Sequence, residues 1–196
     1  GSDNANWEGW TGGDGNDTMH GGGGYDELLY DEDTYSGGTG AVTVNFASGI
    51  ATDGHGSVDT FTGMEAVRGT AQGDQFFGNA MDDFHSYRGL DGNDTITGTS
   101  GWDRVDYSRD ANSGGSSGIN ADLGSGTIID GFGATDTVSN IDEVRGTDSA
   151  DTMRAGSADV RFRGQGGDDF IIGGLGDDTL NGGSGNDTAG FDVNVG

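Results

Sequence analysis

Residues 164–190 read GQGGDDFII, GGLGDDTLN and GGSGNDTAG, three consecutive units of nine residues in one register. Glycine stands first in each unit, and the sixth and eighth residues are Asp169 and Ile171, Asp178 and Leu180, and Asp187 and Ala189. The register extends back through units that start at Gly146 and Ala155. A glycine turn, a carboxylate and a short strand with one inward apolar residue predict one half-coil of a parallel β-roll with calcium in its turns.

The nonapeptides resemble the RTX family, the glycine-rich calcium-binding repeats of secreted bacterial proteins, whose pattern is GGxGxDxUx with U a large apolar residue. Residues 173–181 match every specified position, and residues 182–190 depart only at the small Ala189. The resemblance implies an all-β fold, a right-handed parallel β-roll or β-helix solenoid with calcium in the turns. It also implies export through a type I secretion machine, with the signal near the C-terminus of the full chain.

The composition favours an extended repeat over a spherical core. Of the 196 residues, 43 are glycine, 30% are hydrophobic, and none is proline or cysteine. Glycine at this level without proline excludes collagen, and the regular register argues against a disordered acidic tail. Without cysteine, neither disulfides nor thiol chemistry contribute. These features suit an exported protein that is stabilised by metal.

The formal net charge is −26, from 34 acidic and 8 basic residues. Such a chain repels nucleic acid and anionic membranes, so we expect neither as a partner. Carboxylates crowded onto consecutive turns repel one another until a hard cation such as calcium binds, and we therefore expect folding to be coupled to several calcium ions. No apolar run approaches the roughly 18 residues that span a bilayer.

The chain ends suggest an excerpt from a longer polypeptide. Gly1 and Ser2 stand in place of a methionine and resemble an expression scar, and no N-terminal secretory signal is recognisable. We expect a monomeric segment of a larger secreted or cell-surface bacterial protein.

A longer repeat contains the short one. Shifting the chain by 77 positions places Gly12 on Gly89 and Val67 on Val144, with many identities between. We predict a single elongated domain over residues 1–196. Its parts are an N-terminal cap or tag remnant at 1–10, modules at 11–87 and 88–163, and a partial third module at 164–196.

Each module contains an irregular stretch, at residues 30–68 and 107–145. Alternating apolar residues predict strands at Val42–Phe46 and Ile119–Leu123. We expect wider coils of the same parallel solenoid, and an inserted β-domain is the alternative. Two extra residues near Asp83 and Phe84 predict a bulge that places Tyr87 inward.

In a roll with two strands per coil, residues 18 apart face each other along an edge. The candidate metal-ligating aspartates are Asp17, Asp26, Asp74, Asp83 (or Asp82), Asp94, Asp103, Asp151, Asp169, Asp178 and Asp187. By resemblance to the family, main-chain carbonyls complete the coordination shell of each ion. For the ion between Asp169 and Asp187, these are the carbonyls of Gln165, Gly167, Gly182 and Ser184. The alternative is that these aspartates and glycines only form tight turns. The DGxGxxDT runs at 53–60 and 130–137 are candidates for one further ion each.

The histidines and the aromatic residues offer weaker hypotheses. His20, His55 and His85 form no metal-binding pattern, so we expect no catalysis within this segment. Tyr25 and Trp102 occupy equivalent slots where side chains should face solvent, and they are candidates for stacking on sugar rings. Alternatively, these rings staple neighbouring turns. Trp7 and Trp10 are expected to cover an open end of the solenoid.

Two functions remain at this stage. One is a calcium-binding segment that folds on calcium after secretion and stabilises an enzyme or toxin elsewhere in the chain. The other is a calcium-dependent polysaccharide-binding module or adhesin segment that uses exposed aromatic residues.

Overall fold

The computed structural model describes residues 6–81 and 84–190, and nearly all regular structure there is β. The strands are β1 Trp7–Trp10, β2 Thr18–His20, β3 Tyr25–Leu29, β4 Thr43–Asn45, β5 Ile50–Thr52, β6 Val58–Thr62, β7 Ala66–Arg68, β8 Gln75–Phe77, β9 Phe84–Arg88, β10 Thr95–Thr97, β11 Trp102–Asp106, β12 Asn120–Asp122, β13 Thr127–Ile129, β14 Thr135–Ser139, β15 Glu143–Arg145, β16 Thr152–Arg154, β17 Arg161–Arg163, β18 Phe170–Ile172, β19 Thr179–Asn181 and β20 Thr188–Gly190. Two helices of four residues each, α1 Asp33–Ser36 and α2 Asp110–Ser113, precede β4 and β12. Neither approaches the length and apolarity that a membrane-crossing helix needs.

The strands form two long sheets. The first has the order β1-β3-β7-β9-β11-β15-β17-β19, and every pair in it is parallel. The second has the order β2-β6-β5-β4-β8-β10-β14-β13-β12-β16-β18-β20. The chain passes from one sheet to the other at each regular turn, which is how parallel neighbours arise without long crossovers. The predicted all-β parallel roll is confirmed.

The irregular stretches differ from the predicted parallel coils. Their strands β4 and β12 lie within the predicted ranges and pair in parallel with β8 and β16. However, β5 and β13 run antiparallel to both of their neighbours. The chain here crosses the second sheet three times before it returns to the first, so it must reverse twice. The expectation of parallel strands throughout these stretches is therefore wrong.

Most of the three-residue strands place their middle side chain in the core, whereas the middle residue of β20, Ala189, is exposed. In the second sheet Phe76 and Ile96 pair in register, and in the first Tyr87 pairs with Val105. All four are essentially inaccessible to solvent. Tyr87 takes the inward position expected of it. Of the two residues where a bulge was predicted, Phe84 begins β9 and Asp83 lies outside the described residues.

The long repeat is visible in the elements. Strand β2 begins at Thr18 and β10 at Thr95, and β6 begins at Val58 and β14 at Thr135, in both cases 77 residues apart. At the N-terminal end, β1 pairs with β3, and Trp10 packs against the core. Trp7 remains 55% exposed.

Candidate metal centres

One edge of the roll precedes the strands of the second sheet and carries a ladder of carboxylates. The amide of Asp151 donates to Oδ1 of Asp169 at 2.9 Å, and the amide of Asp169 donates to Oδ1 of Asp187 at 3.1 Å. Asp74 donates in the same way to Asp94 at 2.8 Å. Aspartates in neighbouring coils therefore meet along the edge, as the spacing predicts.

The ladder continues through both irregular stretches by Asp59 and Asp136, which were not predicted as members of the ladder. The amide of Asp17 donates to Oδ1 of Asp59 at 2.9 Å, and that of Asp94 donates to Oδ1 of Asp136 at 3.0 Å. Asp59 and Asp136 are each followed by threonine and an apolar residue, like the sixth residue of a nonapeptide. This local sequence pattern could have identified both residues as members of the ladder. Both belong to the DGxGxxDT runs.

The other edge precedes the strands of the first sheet and is less regular. Asp26 donates its amide to Glu65 at 2.8 Å, and Asp103 donates to Asp142 at 2.8 Å. The amide of Val160 donates to Oδ1 of Asp178 at 3.0 Å. Glu65 and Asp142 were not predicted from the sequence, because neither follows a recognisable nonapeptide.

Asp103 differs from the other candidates. Although burial raises its pKa, hydrogen bonds from His85, Thr99 and Tyr87 hold the pKa below its usual value. The Tyr87 hydroxyl lies 2.8 Å from Oδ1, and the Thr99 amide lies 2.6 Å from Oδ2. Asp82 and Asp83, the alternative candidates from the preceding coil, lie outside the described residues. Asp103 thus has protein donors on both oxygens.

The first glycine of each nonapeptide packs directly on the carboxylate of the sixth residue. A Cβ atom at Gly164 would overlap Oδ2 of Asp169, and one at Gly182 would overlap Oδ2 of Asp187. The following turn needs the left-handed region instead, with φ of 76° at Gln165 and 100° at Gly167. Glycine is therefore needed at the first position because of this close approach and not because of a positive φ.

The carbonyl group of Gln165 already accepts a hydrogen bond from the amide of Ser184 at 3.0 Å. Residues 166 and 184 form a parallel bridge beside it. The predicted carbonyl set around the last pair, at Gln165, Gly167, Gly182 and Ser184, thus lies in two turns stacked upon each other.

Several predicted ligands keep one buried oxygen without a hydrogen-bond donor. These atoms are Oδ2 of Asp17, Asp26, Asp94 and Asp169. A buried carboxylate oxygen without a partner is costly, and a cation with further oxygen ligands is the group that satisfies it. Within residues 6–81 and 84–190, no three acidic or histidine side chains converge closely enough to hold an ion alone. Main-chain carbonyls must complete each shell, and the donor set therefore fits calcium.

Burial raises the pKa of the ladder carboxyls. Burial, followed by the charge of Asp136, raises the pKa of Asp94 to about 9. Burial likewise raises the pKa of Asp74 and of Asp151 to about 6 each, and that of Asp136 to about 7. In the absence of a cation these side chains therefore hold protons more tightly than exposed carboxyls.

The aromatic candidates for sugar stacking are half-buried on the outer face of the first sheet. The guanidinium of Arg161 lies 4.8 Å from the Trp102 ring centroid, and the indole Nε1 donates to Glu143 at 3.3 Å. The Tyr25 hydroxyl accepts a hydrogen bond from Arg104 at 3.3 Å. Both rings lie on the outer face, as expected, but they are only half exposed, because arginines from strands two or three places away in the first sheet contact them. This geometry favours the alternative in which the rings staple neighbouring coils.

Arginine is concentrated on that outer face, which sequence reasoning missed. Six of the eight basic residues alternate there with buried core residues: Arg68, Arg88, Arg104, Arg145, Arg161 and Arg163. Arg88 bridges Glu27 at 2.7 Å and Asp106 at 3.0 Å. Each of these arginines stands next to an inward apolar residue in the sequence, and this pattern could have predicted their outward position. We call these six residues the arginine face.

Comparison with protein families identifies four matches to the RTX calcium-binding nonapeptide repeat, over residues 11–28, 86–113, 145–180 and 161–189. They cover the regular nonapeptides and leave most of both irregular stretches unmatched. No curated protein matched the chain.

Proposed function

We propose that this chain is a segment of a secreted bacterial protein, and that the segment folds on binding calcium after type I secretion and stabilises its parent protein. The proposal starts from the RTX calcium-binding nonapeptide repeats that the chain carries. The main support is the set of buried aspartate oxygens without donors along the carboxylate ladder, at Asp17, Asp94 and Asp169.

The physical basis is the cost of the ladder without a cation. Neighbouring coils place carboxylates within hydrogen-bond reach of one another's main chain, and burial raises the pKa of Asp94 and Asp151. Calcium supplies the positive charge that offsets this repulsion. At low cytosolic calcium the chain stays unfolded and suited to export, and at extracellular calcium it folds.

The first experiment is far-UV circular dichroism of calcium-depleted protein during a calcium titration, with magnesium as the control. We expect a cooperative rise in β signal with calcium alone, because magnesium favours a smaller and more rigid shell that retains water. Equal β structure with and without calcium would refute ion-driven folding.

We assign no catalytic step to this segment. Its buried carboxylates accept main-chain hydrogen bonds along the two edges, and His85 is buried between Phe46 and Tyr87.

A second candidate function is the binding of an acidic polysaccharide, and one observation favours it. A cleft of about 320 Å³ on the first sheet is lined by two aromatic rings, four arginines, a serine and two carboxylates that pair with Arg88. These residues are Trp7, Tyr25, Glu27, Arg88, Arg104, Asp106, Ser108, Arg109 and Arg145. Among the described residues, neither Arg104 nor Arg109 forms an ion pair with a carboxylate. A guanidinium beside an aromatic ring suits a carboxylate-bearing sugar.

Titration calorimetry with a polyuronate and a neutral glucan tests this candidate. We expect Arg109→Ala to weaken polyuronate binding about 10-fold, since a lost charge-assisted hydrogen bond is worth roughly 1.5–3 kcal/mol. Arg154→Ala, an exposed arginine on the second sheet, is the matched control. Equal affinity of both variants and wild type would remove the candidate.

A further inference from the structure

Each irregular coil buries a pair of aspartates that the nonapeptide pattern does not contain. In the first module the pair is Asp33 of α1 and Asp53 of the turn after β5, which are each 1% exposed. In the second module the pair is Asp110 of α2 and Asp130, at 1% and 0%. The members correspond at a spacing of 77 residues.

The two members of a pair are held together by the glycine that follows the turn aspartate, because its amide donates to the helix aspartate. In the first module, Oδ2 of Asp33 accepts the amide of Gly54 at 2.9 Å, and Gly54 directly follows Asp53. In the second module, Oδ2 of Asp110 accepts the amide of Gly131 at 3.1 Å. The short helix is therefore tied to the turn in the same way in both modules.

The turn aspartates use only one oxygen. Oδ1 of Asp53 accepts the amides of His55 at 2.9 Å and Ser57 at 2.7 Å. Oδ1 of Asp130 accepts three amides, including that of Gly133 at 2.7 Å.

The remaining oxygen of each carboxylate is buried and has no donor. These atoms are Oδ1 of Asp33, Oδ2 of Asp53, Oδ1 of Asp110 and Oδ2 of Asp130. The oxygens without donors are the same in both modules. This holds although the residue after the turn glycine differs, His55 after Gly54 and Phe132 after Gly131. Burial, together with the charge of its partner Asp130, raises the pKa of Asp110 to about 7. Two adjacent buried carboxylates with free oxygens form a site for a hard divalent cation.

We propose that each irregular coil binds one calcium ion between its helix aspartate and its turn aspartate, Asp33 with Asp53 and Asp110 with Asp130, in addition to the ions of the nonapeptide turns. The ion would tie the three-strand crossing of the second sheet to the edge of the roll. This inference rests on the calcium binding proposed above.

Asparagine is the informative substitution, because its amide oxygen can retain every hydrogen bond accepted by the native carboxylate. Only the unpartnered, charged oxygen is lost. The variants are Asp33→Asn, Asp110→Asn and the double variant. The matched control is Asp122→Asn, because the corresponding position of the first module already holds Asn45, and both side chains accept an amide in the same turn.

Native mass spectrometry in calcium should show one ion fewer for each single variant and two fewer for the double variant, with no change for Asp122→Asn. An unchanged ion count in the double variant would overturn the inference. If wild-type protein itself bound no calcium, the proposed function would fail instead.

A second measurement does not depend on counting ions. Calcium-depleted protein can be compared at about pH 5, where we expect protons to stabilise the calcium-free fold. There, thermal unfolding should show the double variant to be as stable as wild type or more stable, because a buried acidic group that needs a cation or a proton has been removed. In saturating calcium the order should reverse, with a lower Tm for the double variant. A gain in stability under both conditions would show that no cation binds these pairs. If the double variant does not fold, the single variants provide the same comparison, each with one coil intact.

Discussion

At the scale of single residues, the first and sixth positions of a nonapeptide depend on each other. The repeat that begins at Ala155 is the one whose sixth residue is Val160 rather than aspartate. Where the sixth residue is Asp169 or Asp187, a Cβ atom on the first residue would overlap its carboxylate. Glycine at the first position is therefore needed because of the aspartate, and alanine is accepted where that carboxylate is missing.

Substitution of the first glycine tests this dependence. We expect Gly164→Ala to destabilise the calcium-loaded protein by about 1–3 kcal/mol, the usual cost of overpacking, and to weaken calcium binding, because the added Cβ would overlap Oδ2 of Asp169 and the carbonyl oxygen of Gly182. Urea unfolding in saturating calcium measures the first effect. The control Ala155→Gly adds no atom beside a carboxylate, so it should leave calcium binding unchanged. Its cost in stability, about 1–2 kcal/mol, comes from main-chain entropy and from the methyl group lost from the core. Equal losses of calcium affinity in the two variants would contradict the steric explanation.

At the scale of elements, the irregular coils show where local pattern stops being informative. Alternation predicted β4 and β12, since inward residues such as Val44 and Ala121 recur at every second position. It could not predict the direction of β5 and β13, because alternation is the same in parallel and antiparallel strands. The reversal depends on Gly49 and Gly126, whose φ angles are 64° and 72°.

The turn between β12 and β13 can be tested at Gly126, its last residue. A Cβ atom on Gly126 would lie 2.8 Å from the carbonyl oxygen of Val138, in addition to the cost of positive φ. We expect Gly126→Ala to lower stability by about 2–3 kcal/mol, near the upper end for a strained residue. Gly133→Ala is the control, since its φ is 95° but no atom lies within 4 Å of the added Cβ. The control should lose only about 1–2 kcal/mol. Thermal unfolding in calcium compares them.

At the scale of the whole molecule, opposite charges are segregated. The edges carry the carboxylate ladder, whereas the arginine face lies on the first sheet and pairs with Glu27, Asp106 and Glu143. The arginine face therefore does not neutralise the edges. With a net charge of −26, the compact state depends on bound cations or on protons.

This dependence predicts an acid-stabilised state without calcium. Folded pKa values of about 9 at Asp94, 7 at Asp136 and 6 at Asp74 exceed the unfolded value of 3.8. A raised pKa contributes stability that is fully present below pH 3.8 and is lost as pH rises through the folded pKa. The pKa values of Asp103 and Asp106 are lowered, so their contribution is lost in strong acid.

We therefore expect protein freed of calcium on a chelating resin to gain β signal as pH falls from about 8 to about 5. The calcium concentration at half-saturation should rise over the same interval, because protons compete for the same oxygens. Circular dichroism at fixed pH, with and without calcium, checks both effects. β signal that falls on acidification over this interval would contradict the assignment of buried, proton-binding carboxylates.

The nonapeptide register by itself determined the roll, the inward residues and the meeting of aspartates from neighbouring regular coils. It could do so because these depend on a short repeated period, and side chains in strands alternate with a period of two. Only the tertiary structure decided that Asp59 and Asp136 continue the ladder, that β5 and β13 reverse, and that Asp33 lies beside Gly54. These contacts join residues separated by irregular chain, so their partners depend on the path by which the chain returns to the sheet rather than on local spacing.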